Sequence, residues 1–489
     1  MKKTVFTLVL IGCFLFSHLT AYGIFQTNQV PEYIKIGLFF ESTGRESVNI
    51  GGQNLNLIDN TTGQNLISSL PNSIEVVPYR GTIYLSEQSY VSFSEAYMET
   101  ELLNMLSSEK AFVYLKNGRY FIASQNPGIN FNLGTSTTEN SILLLTHDKS
   151  PIAGYFEAEN LMITSSEEKI KIHTSDYRGG VSFKIGTNNR LTVINVLKLE
   201  EYLYGVVPNE MPASWNIEAL KAQAISARNF AVKNLNKYSK LGFNLCSTTA
   251  SQVYKGLSSE HRNSNSAVDS TKGQLLYYNN DIAEVYYHSS SGGQTENSEN
   301  IWSASFPYLK GVQDPYSLGS PHDNWEVEFT KEQIDKLLKD RNIQIGSFVG
   351  IEVSQKSQNN RAMKVVIKGS LGNHSLEKES IRSFFSLKSN FFTLNTQTNT
   401  SQNINVIQTT NTDYSERALF NDLRSVLSGS SDERDFENID NFYTDKIIFS
   451  GKGWGHGVGL SQYGAKKMGE LGFTYQEILQ HYFTDVHIK

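Results

Sequence analysis

The segment from Asn216 to about Tyr238 limits the possible folds more than any other part of the chain. Ala219, Leu220, Ala224, Ala227, Ala231 and Leu235 recur at helical spacing, and a helix face of such small side chains lets a neighbouring element pack close. Ser214 or Asn216 can cap its start. Lys221 and Arg228, seven residues apart, share a second face beside the apolar one. Just upstream lies Tyr204-Gly-Val-Val-Pro-Asn-Glu-Met-Pro-Ala-Ser-Trp215, with Glu210 between Pro208 and Pro212. Each proline fixes its own φ, and Pro212 also disfavours helical geometry at Met211. The expectation is a stiff, non-helical link that carries Glu210 into the helix. A rigid carboxylate leading into a helix with two stacked cations is a catalytic arrangement. The plain alternative is a solvated glutamate in a turn.

The chain has 489 residues, enough for about two to four domains with real cores. Its net charge of −6, with no long basic run, argues against nucleic acid as a partner and against a polybasic grip on anionic polymers. Lys2 and Lys3 precede an apolar run from about Val5 to Leu19, followed by Ala21-Tyr22-Gly23. Residues 1–23 therefore read as an export signal, or as a membrane anchor if uncleaved. Leu10-Ile11-Gly12-Cys13 is similar to a lipoprotein box, but Cys13 lies inside the apolar run. Cys246 is the other cysteine of the chain. Once the signal is removed it stands alone, so no intrachain disulfide can form and packed cores must hold the protein.

Strands are expected at Ile34–Phe40 and Asn54–Ile58, a helix within Glu87–Met105, and a hairpin around Asn117-Gly118. Residues 24–176 thus form a β-rich region, a possible wall-associated module, in which no chemistry is evident. Further strands at Ile170–His173, Val181–Ile185 and Leu191–Leu197 lead to a short helix over 198–206. Beyond the long helix come a helix near Asn263–Thr271, strands at Gln274–Tyr278 and Ile282–His288, a helix over Thr330–Asp340 and strands at Val349–Val353 and Met363–Lys368. The mixture is α+β. Residues 395–413 are dominated by Asn, Thr, Gln and Ser, and a polar insertion is expected near 395–440.

In Gly451-Lys-Gly-Trp-Gly-His-Gly-Val-Gly-Leu460 glycine takes every other position. An extended chain would put the glycines on one face and Trp454 and His456 on the other. The Gly-Lys-Ser/Thr ending of a phosphate loop is missing, and no dinucleotide-binding spacing fits. Ser461 can cap a helix carrying Gln462 and Tyr463, and Thr474-Tyr-Gln-Glu477 is a capping box for the last helix.

Three segments together resemble the sporulation stage II protein D (SpoIID)/LytB family of bacterial cell-wall proteins. They are Leu199–Trp215 with Glu218–Arg228, Tyr287-His-Ser-Ser-Ser-Gly-Gly-Gln-Thr-Glu-Asn-Ser-Glu299, and Gly453-Trp-Gly-His-Gly-Val-Gly-Leu-Ser-Gln-Tyr-Gly-Ala465. The resemblance covers roughly 177–489. It implies a lytic transglycosylase acting on peptidoglycan glycan strands stripped of stem peptides, with Glu210 catalytic and Lys221 and Arg228 as assisting cations. Some members bind zinc through Cys and His residues near the segment matching Cys246–Tyr254. Here that segment has one Cys, and the nearest histidine is His261, so no metal or other cofactor is expected. The family's other branch modifies or stimulates a cell-wall amidase, and the sequence does not separate the two.

A transglycosylase breaks the MurNAc–GlcNAc bond without water. One acid protonates the leaving oxygen, then its conjugate base takes the proton from the C6 hydroxyl as a 1,6-anhydro ring closes. This needs one carboxyl group rather than a glycosidase's pair. Glu210 must then be protonated near neutral pH, which burial against walls such as Met211 and Trp215 favours. The cations must hold substrate oxygens without touching it. His288, Ser289, Ser290, Gly292 and Gly293 are expected to line the groove, the glycines permitting a tight turn. Trp454, His456, Ser461, Gln462 and Tyr463 complete the expected substrate surface. A Ser–His nucleophile in the 288–291 loop lacks the nucleophile-elbow pattern and an orienting acid. A hydrolysing muramidase would need a second carboxylate, for which Glu201 and Glu296 are the candidates.

Overall fold

A computed structural model describes residues 30–60, 63–107, 110–126, 133–156, 161–397 and 446–489, with side chains omitted at 133–140, 156 and 397. The expected export signal or anchor at 1–23 and most of the polar insertion expected near 395–440 lie outside these residues.

The fold is α+β, with two large sheets in its first half. In Tyr33–Phe39 the buried Ile34, Ile36 and Leu38 alternate, and this strand pairs antiparallel with the almost wholly buried Leu191–Lys198. Leu245–Cys246 adds on its other side, and Gly180–Ile185, Leu161–Thr164, Leu55–Asp59 and Asn65–Leu70 extend the far edge, making seven strands. Strands from both sides of residue 176 thus share one hydrogen-bonded frame.

The second sheet has eight strands, and Ser73–Tyr90 pairs with both Arg119–Ser124 and Leu133–Leu145. With Ala111–Lys116 and Pro151–Phe156 between those partners, five strands close into a ring, which removes their free edges. Ile83, Leu85, Phe112, Tyr114, Ala123 and Leu143 form a core of their own there. Helix α1 (Phe93–Leu106) lays Ala96 against Val113 and Tyr120. The hairpin turn is as expected: Asn117 and Gly118 take φ of +50° and +71°.

Helices α2 (Leu199–Glu210), α3 (Ile217–Lys233) and α4 (Arg262–Ser270) follow. Asn216 caps α3 by accepting from the Glu218 amide at 2.8 Å. Helix α3 is buried on nearly every side, including Ala222, Gln223, Ser226 and Asn229 as well as the expected face, because it runs through the middle of the helical layer. It ends at Lys233, so Leu235 packs from the turn beyond. The side chain of Asn229 donates to the carbonyls of Leu276 and Ala283 at 2.8 and 3.1 Å, tying α3 to the strand Leu276–Tyr278.

A short helix, α5 (Ser298–Ile301), precedes a unit with a separate core built on Ile334, Phe348, Val365, Phe385 and Phe449. It comprises Trp325–Thr330, α6 (Lys331–Asp340), a three-stranded sheet over Phe348–Glu377, α7 (Glu379–Phe385) and the pair Phe392–Gln397 with Lys446–Gly451. The chain then returns to the first core through α8 (Gln462–Glu470) and α9 (Tyr475–Tyr482), the latter entered by the expected Thr474–Glu477 capping box.

The glycine-alternating segment is not an extended strand. Gly453, Gly455, Gly457 and Gly459 have φ of +71°, +113°, +84° and +71°, so the backbone coils instead of presenting two faces. At Gly453 a Cβ would lie 2.6 Å from the Ser290 carbonyl oxygen, and at Gly459 it would lie 2.3 Å from that of Tyr286. Glycine serves both conformation and close approach to the strand Tyr287–His288 and the loop after it.

Candidate functional site

Helix α2 continues past residue 206 to Glu210, so the expected non-helical link is in fact the helix's last turn. Pro208 removes one amide donor, tolerable so close to the helix end, and Asn209 Nδ2 donates to the Gly205 carbonyl at 2.7 Å. Pro212 acts as expected. Met211 is extended (φ −136°, ψ 127°) and wholly buried, and the helix stops there.

The half-buried Glu210 carboxyl accepts from the Val253 amide, with Oε1 at 3.1 Å, and is hydrogen-bonded to the Tyr287 hydroxyl. Behind it, Tyr202 OH donates to Gln252 Oε1 at 3.1 Å, and Gln252 Nε2 donates to Tyr287 OH at 3.1 Å. With the Gln252 amide donating to it, Tyr287 is left to direct its own proton at Glu210. Burial raises the Glu210 pKa above the ordinary carboxylate range, while the Val253 amide and the Tyr287 hydroxyl pull it partly back. A position at the C-terminal end of a helix also disfavours negative charge. The outcome is a carboxyl held toward its protonated form and oriented by two donors.

The two expected cations act elsewhere. Lys221 Nζ lies 2.6 Å from Glu218 Oε1 and near the Tyr475 ring. Arg228, wholly buried, bonds Glu200 through Nε and Nη2 at 2.9 and 2.7 Å and the Gln274 carbonyl at 3.2 Å. The structure does not place Arg228 where a substrate could reach it. Its partner sits on α2, out of reach of any spacing argument along α3. Neither cation is among the groups that shift Glu210.

The strand Tyr287–His288 pairs in parallel with Leu460–Ser461, which brings the second and third motifs together. His456 Nε2 donates to the Tyr287 carbonyl at 3.1 Å while its Nδ1 accepts from the Val458 amide at 3.0 Å. Burial, with Arg382 and Arg361 adding repulsion, pushes its pKa down to about 3, so the imidazole is neutral and fixed as one tautomer. His456 thus holds the main chain of the residue that directs Glu210. His288 is buried, with Nδ1 on the Val458 carbonyl at 3.2 Å and Nε2 unpartnered among the described residues.

No serine in this loop is hydrogen-bonded to His288. The buried Ser290 hydroxyl bonds Ser320 at 3.0 Å, and Ser291 donates to Asp314 at 2.7 Å. The Ser289 carbonyl accepts from the Tyr463 amide at 3.0 Å. Gly292 and Gly293 turn with φ of +74° and +106°, as expected. Ser461, buried, caps α8 through the Gly464 amide, and Gln462 bonds Gln223 at 3.3 Å; both are internal. Trp454 is 45% exposed. The Tyr463 ring lies between Trp215 and His322, at 4.9 and 5.9 Å. Cys246 is buried among the hydroxyls of Tyr238, Thr248 and Ser251.

Sequence reading passed over Tyr287 and Gln252, although both stand inside motifs already singled out. The available signal was their position, one residue before His288 and one before the Val253 amide.

The stretch that carries Glu210 matches a known family model. A model described as Stage II sporulation protein (SpoIID) matches residues 187–278, and one described as a domain of unknown function (DUF8618) matches 316–412. Stage II sporulation protein D of Bacillus subtilis (strain 168) is 31% identical over 308 residues, covering 60% of this chain and 75% of that protein. Its namesake in Bacillus amyloliquefaciens is 30% identical over 325 residues, covering 63% and 79%. The amidase enhancer of Bacillus subtilis (strain 168) is 33% identical over 295 residues, 58% of this chain, but the chain spans only 39% of that protein's length. The chain belongs to the SpoIID/LytB family.

Tyr287→Phe tests the coupling between the tyrosine and the acid. Removing a donor that stabilises the carboxylate raises the Glu210 pKa further. The carboxyl's titration, followed by NMR, then moves to higher pH. A downward or absent shift separates Tyr287 from the acid.

Proposed function

We propose that the protein is an exported, envelope-located lytic transglycosylase that cuts peptidoglycan glycan strands stripped of stem peptides. Glu210 gives its proton to the oxygen of the MurNAc–GlcNAc linkage as that bond breaks. The resulting carboxylate then takes the proton of the C6 hydroxyl, whose oxygen bonds the anomeric carbon and closes the 1,6-anhydro ring. Donor and acceptor are one group, and no water enters the balance. The observation that carries this reading is the half-buried Glu210 carboxyl, raised in pKa and oriented by Tyr287 and Val253, with no cation among the described residues drawing it into ionisation.

A hydrolysing muramidase has less support. The nominated Glu296 is wholly buried and accepts from the Asn297 amide, Asn300, Ser357 and Asn359. Glu201 accepts from the Lys198 amide at the far end of α2.

The second reading, a wall-binding helper of a cell-wall amidase, rests on the relative named amidase enhancer. A digest of denuded sacculi with the purified protein separates the two. Soluble fragments with 1,6-anhydro ends support the enzyme. No fragments from the protein alone, with faster turnover of an added amidase, support the helper, and fragments with reducing ends support hydrolysis. No helix among the described residues is long and apolar enough to cross a membrane.

A further inference from the structure

An aromatic line begins in the segment after α2 and reaches residues flanking the unit with the separate core. Trp215, five residues after the acid, packs on Tyr463 with ring centres 4.9 Å apart. Tyr463 meets the edge of His322 at 5.9 Å, and His322 meets Trp454 at 4.4 Å. Lys466 lies 5.4 Å from the Trp215 ring, and Lys388 lies 5.8 Å from the half-exposed Trp454 ring. Lys388 has no carboxylate within ion-pair distance among the described residues. It also helps to keep His322 neutral: burial lowers that pKa first, and the Lys388 charge adds to it.

His322 and Lys388 come from the unit whose family model is described only as a domain of unknown function. Its attachment to the site is extensive and buried. The strand Lys446–Gly451 lies between Trp325–Thr330 and Phe392–Gln397 and runs straight into the glycine-rich loop. That loop is then gripped residue by residue. The Lys452 amide donates to the Phe391 carbonyl at 2.8 Å, Gly453 to that of His322 at 2.7 Å, and Gly455 to that of Lys388 at 2.8 Å. Arg361, wholly buried, donates to the carbonyls of Ser291 and Gln294 at 2.7 and 3.0 Å.

We propose that this unit is the outer wall of the glycan groove. It fixes the two site loops and uses His322 and Lys388, with Trp454, to bind a sugar of the strand bearing a free carboxylate. Exposed aromatic faces suit the apolar faces of pyranose rings. A strand stripped of its peptides carries a free lactyl carboxylate on each muramoyl residue, and an ammonium with no carboxylate in reach among the described residues suits that charge. The proposal rests on the glycan reading of the site but not on the cleavage step, since a helper that only binds the wall would use the same surface.

The test is binding of full-length protein, measured by calorimetry, to two soluble oligosaccharides of equal length: a peptide-free muramoyl-containing glycan and a chitin oligomer, which has no carboxylate. Trp454→Ala weakens both by about tenfold. Lys388→Gln weakens the muramoyl glycan about two- to fivefold and leaves the chitin oligomer unchanged, and raised salt erases the difference. Equal effects of Lys388→Gln on both ligands, or none on either, overturn the proposal. So does unchanged binding in Trp454→Ala. If selective binding holds while wild-type protein releases no fragments from denuded sacculi, the cleavage reading fails and the groove assignment stands. Fragment release with no Lys388 selectivity gives the reverse.

Discussion

Glu210→Gln releases no anhydro-ended fragments from denuded glycan, with a loss of at least about 10²- to 10⁴-fold relative to wild type. The substitution keeps size, the C-terminal turn of α2 and an acceptor for the Val253 amide, so circular dichroism and the unfolding midpoint stay near those of the parent. Only the transferable proton is lost. Glu210→Asp is a useful companion, because it keeps the acid but withdraws it by one methylene from a site set by Tyr287 and Val253. It retains a fraction of the rate, as positioning arguments require. If Glu210→Gln cuts at the parental rate, the acid is not Glu210 and the transglycosylase reading is wrong.

The second large effect is on stability. Arg228→Met lowers the unfolding free energy by about 3 kcal/mol or more, read as an earlier urea midpoint at unchanged slope. Arg228 is wholly buried, and its guanidinium satisfies both oxygens of Glu200 as well as the Gln274 carbonyl. Methionine fills much of the space but leaves the Gln274 carbonyl without the Arg228 donor and the Glu200 carboxylate without its cation, with only the Gly273 amide among the described residues still donating to it. Pairing the change with Glu200→Gln recovers part of the loss, because the stranded charge goes with it. A variant with parental stability but weakened glycan binding would return Arg228 to the substrate surface and refute the internal ion pair.

How much of this was legible in the sequence depends on the range of each interaction. The Asn117-Gly118 hairpin, the caps at Asn216, Ser461 and Thr474, and the stop imposed by Pro212 are set by neighbours in sequence, and they occur as read. Pro208 was misjudged because a proline rule about helix interiors is weaker one turn from the end, where few hydrogen bonds remain to be lost. The glycine alternation was read as an extended face. Its positive φ values instead go with close packing, at Gly453 and Gly459, on Ser290 and Tyr286 carbonyls more than 160 residues away. The same holds for the acid's surroundings: Gln252, held by Tyr202 and the Ala227 carbonyl, meets the Tyr287 hydroxyl from 35 residues away. Local chemistry singled out Glu210 as a candidate, whereas tertiary contacts chose its companions.

The placement of Tyr33–Phe39 between Leu191–Lys198 and Leu245–Cys246 has a consequence for how the molecule assembles. The first described strand is synthesised long before either of its neighbours, so it must wait unpaired while the ring of five strands, made from nearer stretches of chain, closes behind it. Such late, distant closure is slow. The frame that supports Glu210 therefore cannot be complete until α3 and the segment after it have emerged, so the half of the molecule made first is finished only by the half made later.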